Sequence, residues 1–203
     1  MKLAIIRHGE TEWNRLHKIQ GQSDVPLNEH GREGARRKAA ELAGENWTRC
    51  YYSPLSRTRE TMEILLRGRS IPRFADPRLM EMGFGAFEGD ERISETPGHP
   101  LRTLFLDPEH FRPEEGAEGF PELFKRTGDF LLKELAPLAE TDEYVLLVGH
   151  GAMNLSIMNR LLGVPLSAFW DRHCGNLELV TFEIRNASEL RLRDPIPGLT
   201  EES

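Results

Sequence analysis

Two short apolar runs, each cut off by a histidine that is followed by glycine, constrain this chain more than any other feature. Leu3-Ala4-Ile5-Ile6 runs into Arg7-His8-Gly9, and Tyr144-Val145-Leu146-Leu147-Val148 runs into Gly149-His150-Gly151. Runs this short and this apolar fit strands buried on both faces of a parallel sheet. Such a sheet holds its ligands beyond the carboxyl ends of the strands, where loops begin the next helices. His8 and His150 both leave the sheet there, which points to one shared site.

The rest of the chain alternates in the same way. Asn28 is placed to cap a helix from about 29 to 43, with Ala35, Ala39, Leu42 and Ala43 as its buried stripe. A strand over 50–53 precedes a helix for which Ser56 is the expected cap, with Met62, Leu65 and Leu66 turned inward. Leu123, Thr127, Phe130, Leu131, Leu135 and Leu138 recur at helical spacing, which predicts a long helix over 121–138. Another helix over 153–162 is closed by Gly163 and Pro165. Segments 177–184 and 190–192 read as a closing hairpin with Asn186 in its turn. Strand and helix in alternation define an α/β class, a mostly parallel central sheet covered on both faces in an α/β/α sandwich. With 203 residues the chain is expected to form one domain over 1–203, with an inserted, lid-like segment at about 88–122.

Composition excludes several functions. The formal net charge of −7 repels phosphodiester backbones, so no nucleic-acid partner is expected. The first apolar run is too short for a signal-peptide core, and no stretch approaches the roughly 20 apolar residues of a membrane span. Cys50 and Cys174 form no disulfide-rich pattern, and the simplest expectation is a cytoplasmic chain with reduced thiols.

Four clusters carry chemistry. In the first, Arg7, His8 and Gly9 form a compact anion site: arginine offers a bidentate fork and glycine lets the backbone approach closely. Arg57, in Ser53-Pro54-Leu55-Ser56-Arg57-Thr58, falls in the first helical turn, where free amides already favour an anion. Glu81 lies among Met80, Met82 and Phe84, and desolvation by such neighbours would raise its pKa and make it a proton donor near neutrality. His150 and Gly151 open the last helix. Each cluster alone has an ordinary structural explanation: a solvated turn arginine, a helical charge pattern with Glu60 and Glu63, an exposed loop glutamate, a satisfied core histidine. Glu88 fits the exposed-loop explanation better than Glu81, and Arg59 and Arg67 fit the surface one.

In their order and spacing the four together resemble the histidine phosphatase superfamily, the phosphoglycerate mutase-like family. Arg7-His8-Gly9-Glu10-Thr11-Glu12-Trp13-Asn14 matches its Arg-His-Gly-x-Thr-x-x-Asn signature, and Gly21-x-x-Asp24-x-Pro26-Leu27-x-x-x-Gly31 matches a second segment. The likeness runs from Met1 to about Phe182. It implies a phosphomonoesterase that works through a phosphohistidine on His8, the nucleophile. It also implies that Arg7, Arg57 and His150 surround the phosphate, and that Glu81 is proton donor and then base. Asn14 and Gly151 would join in phosphate binding, and Gln20 and Gly21 would line the substrate entrance. The implied partner is a small phosphomonoester, and no cofactor or metal is called for because the arginines supply the positive charge. Two positions depart from the pattern: Leu155 stands where many members carry Arg, and Asn176 only loosely matches an Asn before the last core strand.

Three rivals follow from the same residues. The resemblance implies that a mutase of this family would use basic residues in segment 88–122, including an adjacent Arg pair, to hold a substrate carboxylate. That segment, however, carries ten Asp and Glu against Arg92, Arg102 and Arg112, with no adjacent Arg pair, which favours water as the acceptor. His8, His150 and Glu81 could ligate Zn²⁺, but Arg7 and Arg57 at the same spot would repel it. A non-catalytic phosphate-binding module would be expected to lose His8 or Glu81, and both are present.

Overall fold

The structure, a computed structural model, describes residues 1–190. Five strands, β1 (Lys2–Arg7), β2 (Arg49–Tyr52), β3 (Arg73–Ala75), β4 (Tyr144–Gly149) and β5 (Leu179–Glu183), form one sheet in the order β3-β2-β4-β1-β5. All neighbours are parallel except β5, which runs antiparallel to β1 on the edge. The two runs that end in histidine are therefore adjacent, with Ile6 opposite Val148 and Arg7 opposite Gly149.

Alternation along these strands splits the interior into two cores. Leu3, Ile5, Val145 and Leu147 face one way, and Ala4, Ile6, Leu146 and Val148 the other. On the first face lie α5 (Phe120–Phe130) and α6 (Gly151–Leu162); the second is covered by Met62, Leu65 and Leu66 of α3 (Ser56–Leu65) and its C-terminus, and by Trp47. This is the expected mostly parallel α/β architecture. Among the described residues no helix is long and apolar enough to cross a membrane.

Several local expectations need correction. Asn28 caps α2 (Glu29–Glu41), accepting from the Gly31 N–H at 2.7 Å, but the helix stops at Glu41. Ala35 is buried, Ala39 and Leu42 are half-buried, and Ala43, beyond the end, is exposed. Ser56 does not cap α3: it is the first helical residue, and its amide is taken by the carboxylate of Asp24 at 2.7 Å. The long helix does span 120–138, but α5 passes into a π turn over Leu131–Leu135 and a 3-10 turn over Ala136–Leu138. Of the expected closing hairpin, segment 177–184 holds β5, which pairs with β1; Leu190 ends a 3-10 turn over Ala187–Leu190 and is buried in the first core, and 191–192 lie outside the described residues.

Candidate active site

β1 and β4 deliver their histidines side by side. The His8 N–H donates to the Gly149 carbonyl at 3.0 Å, and the two imidazoles stand 5.2 Å apart at 62°. Beyond Arg7 the backbone runs against the start of α2, where a Cβ on Gly9 would lie 2.8 Å from the Gly31 oxygen, a contact only glycine permits. Two further residues hold this turn: Thr61 accepts the Gly9 N–H at 3.0 Å, and the Asn176 amide donates to the His8 carbonyl at 2.8 Å.

The hydrogen bonds fix the tautomers. His8 Nδ1 lies 2.7 Å from the Gly9 carbonyl, which cannot donate, so Nδ1 carries the proton and Nε2 presents a lone pair. His150 is the reverse. Its Nδ1 accepts from Arg57 Nε at 3.2 Å, so the proton sits on Nε2, which is buried without a partner. Burial, and then the guanidiniums of Arg7 and Arg57, hold the His8 pKa well below the usual imidazole value; burial, then Arg57, does the same for His150. Both rings are neutral at physiological pH.

The cations are anchored by backbone carbonyls rather than by carboxylates. Arg57 is fully buried and donates to the carbonyls of Ser23 at 2.7 Å and Gly21 at 2.6 Å. Burial pulls its pKa down to about 10, which leaves it charged at neutral pH. Arg7 donates to the Cys174 carbonyl at 2.7 Å, while its buried Nε has no partner. Two buried N–H groups, one on Arg7 and one on His150, thus stand unsatisfied. Buried donors of this kind are costly unless a ligand meets them.

Glu81 is placed differently from the sequence expectation. It is buried, yet its carboxylate is not in apolar surroundings: it accepts N–H bonds from Met82, Gly151, Ala152 and Met153 at 2.8–3.2 Å. Three of those donors are the free amides at the start of α6, which favour an anion. Glu88 is also not a loose loop residue. Its carboxylate accepts from the backbone of Gln22, Ser23 and Phe84 and from the Ser23 hydroxyl, stapling the loop whose carbonyls hold Arg57. Gly21 in that loop has φ of +54°, and any Cβ there would run into the Glu88 carboxylate.

A cavity of about 200 Å³ is lined by eight of the nine residues singled out in the sequence, Arg7, His8, Asn14, Gln20, Gly21, Arg57, Glu81 and Gly151; His150 does not line it and is hydrogen-bonded to Arg57. Asn14 spends its side-chain oxygen on the Thr11 backbone, and Gln20 accepts from the Thr11 hydroxyl, so both leave amide N–H groups uncommitted. Arg59 and Arg67 are exposed, away from it. The sequence reading missed Lys18, Ile19, Phe84, Phe105 and Trp170 in the wall, Thr61 behind it, and Arg126, which clasps the Met80 and Glu81 carbonyls while paired with Glu118. Thr61 lies one helical turn after Arg57, on the same helix; nothing in the sequence marks Trp170. None of the ten acidic residues of 88–122 lines the cavity, where the segment contributes Phe105 alone. Among the described residues no group of three or more His, Cys, Asp and Glu is placed to hold a metal ion.

A parallel sheet with two histidines and two arginines converging at its carboxyl edge defines a phosphate-handling enzyme fold, and the chain belongs to the histidine phosphatase superfamily, branch 1, whose model matches residues 3–193. It is 30% identical over 178 residues to phosphoserine phosphatase 1 of Hydrogenobacter thermophilus, covering 87% of this chain and 83% of that protein. It is 34% identical over 170 residues to the probable phosphoglycerate mutase GpmB of Yersinia pestis, covering 83% and 78% respectively. Among solved structures, Bacillus stearothermophilus YhfR superposes with a TM-score of 0.80 at 29% identity, over 89% of both chains.

Proposed function

We propose that this protein hydrolyses a small phosphomonoester through a phosphohistidine intermediate on His8, without a metal ion. The observation that supports the reading is the set of paired tautomers: a lone pair on His8 Nε2, with the His150 ring 5.2 Å away, and buried, unpartnered N–H groups on His150 and Arg7. In the first half-reaction Nε2 attacks phosphorus, the P–N bond forms as the ester P–O bond breaks, and the leaving oxygen takes a proton from Glu81. In the second, the Glu81 carboxylate takes a proton from water as its oxygen attacks phosphorus, returning free His8 and inorganic phosphate. Arg7, Arg57, His150, Asn14 and Gly151 hold the phosphoryl oxygens and offset the charge that develops on them. A neutral imidazole brings no negative charge of its own to the phosphate, which is why burial of His8 serves the chemistry.

The N–H groups of Gly151 and Ala152 that hold the free Glu81 carboxylate are also the ones an incoming phosphate would claim. Both cysteines are free and buried, which fits a reducing compartment, and we place the enzyme in the cytoplasm. Replacing His8 by Ala is expected to abolish release of phosphate from p-nitrophenyl phosphate; turnover at a tenth of wild type would overturn the mechanism.

Mutase-type transfer is the second reading, raised by the resemblance to GpmB. Among the described residues, Lys18 is the one cation in the cavity wall beyond the phosphate residues, which supports water as the acceptor. Incubation with 3-phosphoglycerate separates the two: inorganic phosphate marks the hydrolase, an isomerised phosphoglycerate the mutase.

A further inference from the structure

Behind the phosphate-binding residues the cavity wall consists of Lys18, Ile19, Phe84, Phe105 and Trp170. Phe105 and Trp170 pack with ring centroids 5.0 Å apart at 37°, both half-buried, so each keeps part of its ring open. Trp170 Nε1 is spent on the Leu104 carbonyl at 2.7 Å, which leaves the indole with an apolar surface and no polar handle. The platform is rigid because Trp170 sits edge-on to Phe169 at 4.7 Å, and Phe169 is fully buried against Phe120 and Phe124. Phe84 is buried as well.

Charge in this part of the wall is already matched. The Lys18 ammonium lies 3.4 Å from the Glu91 carboxylate, so a substrate carboxylate would have to compete for it. A second hollow of about 320 Å³ shares Asn14, Lys18, Ile19 and Phe105 with the first and is otherwise lined by His17, Arg92, Ile93, Ser94 and Glu95.

Resting on the phosphomonoesterase reading, we infer that the leaving group of the preferred substrate is a flat, apolar alcohol, aryl or arylalkyl, that lies on Phe105 and Trp170. An amino acid or a hydroxy acid bearing the phosphate is the wrong chemistry for this wall.

The test compares phenethyl phosphate with phosphoserine and 3-phosphoglycerate; all three release alkoxides, so the leaving-group requirement is similar. Wild type is expected to favour phenethyl phosphate in kcat/KM by at least about tenfold, the worth of one good aromatic contact. Phe105→Ala and Trp170→Leu should each lower that ratio by about fivefold or more, and the milder Phe105→Leu should lower it if the alanine variant does not fold. A preference for either acid, or a ratio the variants leave unchanged, overturns the inference while leaving the phosphatase reading intact. Binding of phenethylphosphonate to His8→Ala, measured by calorimetry, supplies the converse separation. Selective aryl binding in a wild-type protein that hydrolyses no ester sinks the phosphatase reading and keeps the inference. Absence of aryl selectivity in binding overturns the inference whatever the turnover.

Discussion

Burying two neutral imidazoles side by side ties the stability of this fold to pH, in a window set by the histidines themselves. In the unfolded chain each titrates near 6.5, whereas the folded values of His8 and His150 lie well below it. Below pH 6.5 the unfolded state therefore binds more protons than the folded one, so stability is complete above that pH and is lost as pH falls. Between pH 7.5 and 5.5 one histidine that stays neutral when folded costs about 1 kcal/mol, and two cost about 3 kcal/mol. That is a large fraction of the roughly 5–15 kcal/mol of a typical domain. Urea unfolding followed by tryptophan fluorescence in phosphate-free buffer should show the midpoint dropping by about 1 M across this range. His150→Asn should recover about half of the drop, since the asparagine oxygen can still accept from Arg57, and His8→Asn/His150→Asn should recover nearly all of it. Other groups titrate alike in wild type and variant, so the difference between their profiles is the quantity that decides. A double variant as acid-sensitive as wild type would refute the burial argument.

Further outcomes follow from the site. Glu81→Gln should slow phosphorylation by an alkyl phosphate about 10²- to 10⁴-fold and by p-nitrophenyl phosphate far less, because nitrophenolate needs no proton; equal small losses in burst kinetics would remove Glu81 from the mechanism. Chelation with EDTA should leave turnover nearly unchanged, and loss of activity restored by Zn²⁺ or Mn²⁺ would argue for metal chemistry instead. Glu88→Gln, which from sequence alone looked like a neutral control, should cost about 1–3 kcal/mol of stability, since an amide cannot accept from all the donors that meet this carboxylate. It should also raise KM by loosening the carbonyls of Gly21 and Ser23 around Arg57, and an unchanged melting temperature would contradict that.

The parts of this molecule that were legible in the sequence are those in which pattern and chemistry coincide. Leu3–Ile6 and Tyr144–Val148 are short, apolar and end in histidine, and they became adjacent strands that deliver both rings to one edge. The Asn28 cap and the Gly163 stop are local geometry and were read locally. What escaped the reading depends on contacts between distant segments. Ser56 looked like a cap until Asp24, 32 residues earlier, took its amide. Glu81 sits among Met80, Met82 and Phe84 in sequence, but in space it faces the amides of α6, which no neighbouring residue announces. Trp170 and Phe105 reach the cavity from segments far from any signature. Leu190 ended up buried in a turn because its apolar side chain fills the first core, where a strand had been expected.

The central claim, covalent chemistry on His8, is tested most directly by trapping the phosphoenzyme. Mixing with excess p-nitrophenyl phosphate, quenching in alkali within the first turnover and mapping the peptides by mass spectrometry should find an acid-labile phosphate on His8, none on His150, and none anywhere in His8→Ala. Phosphate mapped to His150, or undiminished turnover in His8→Ala, would contradict the account.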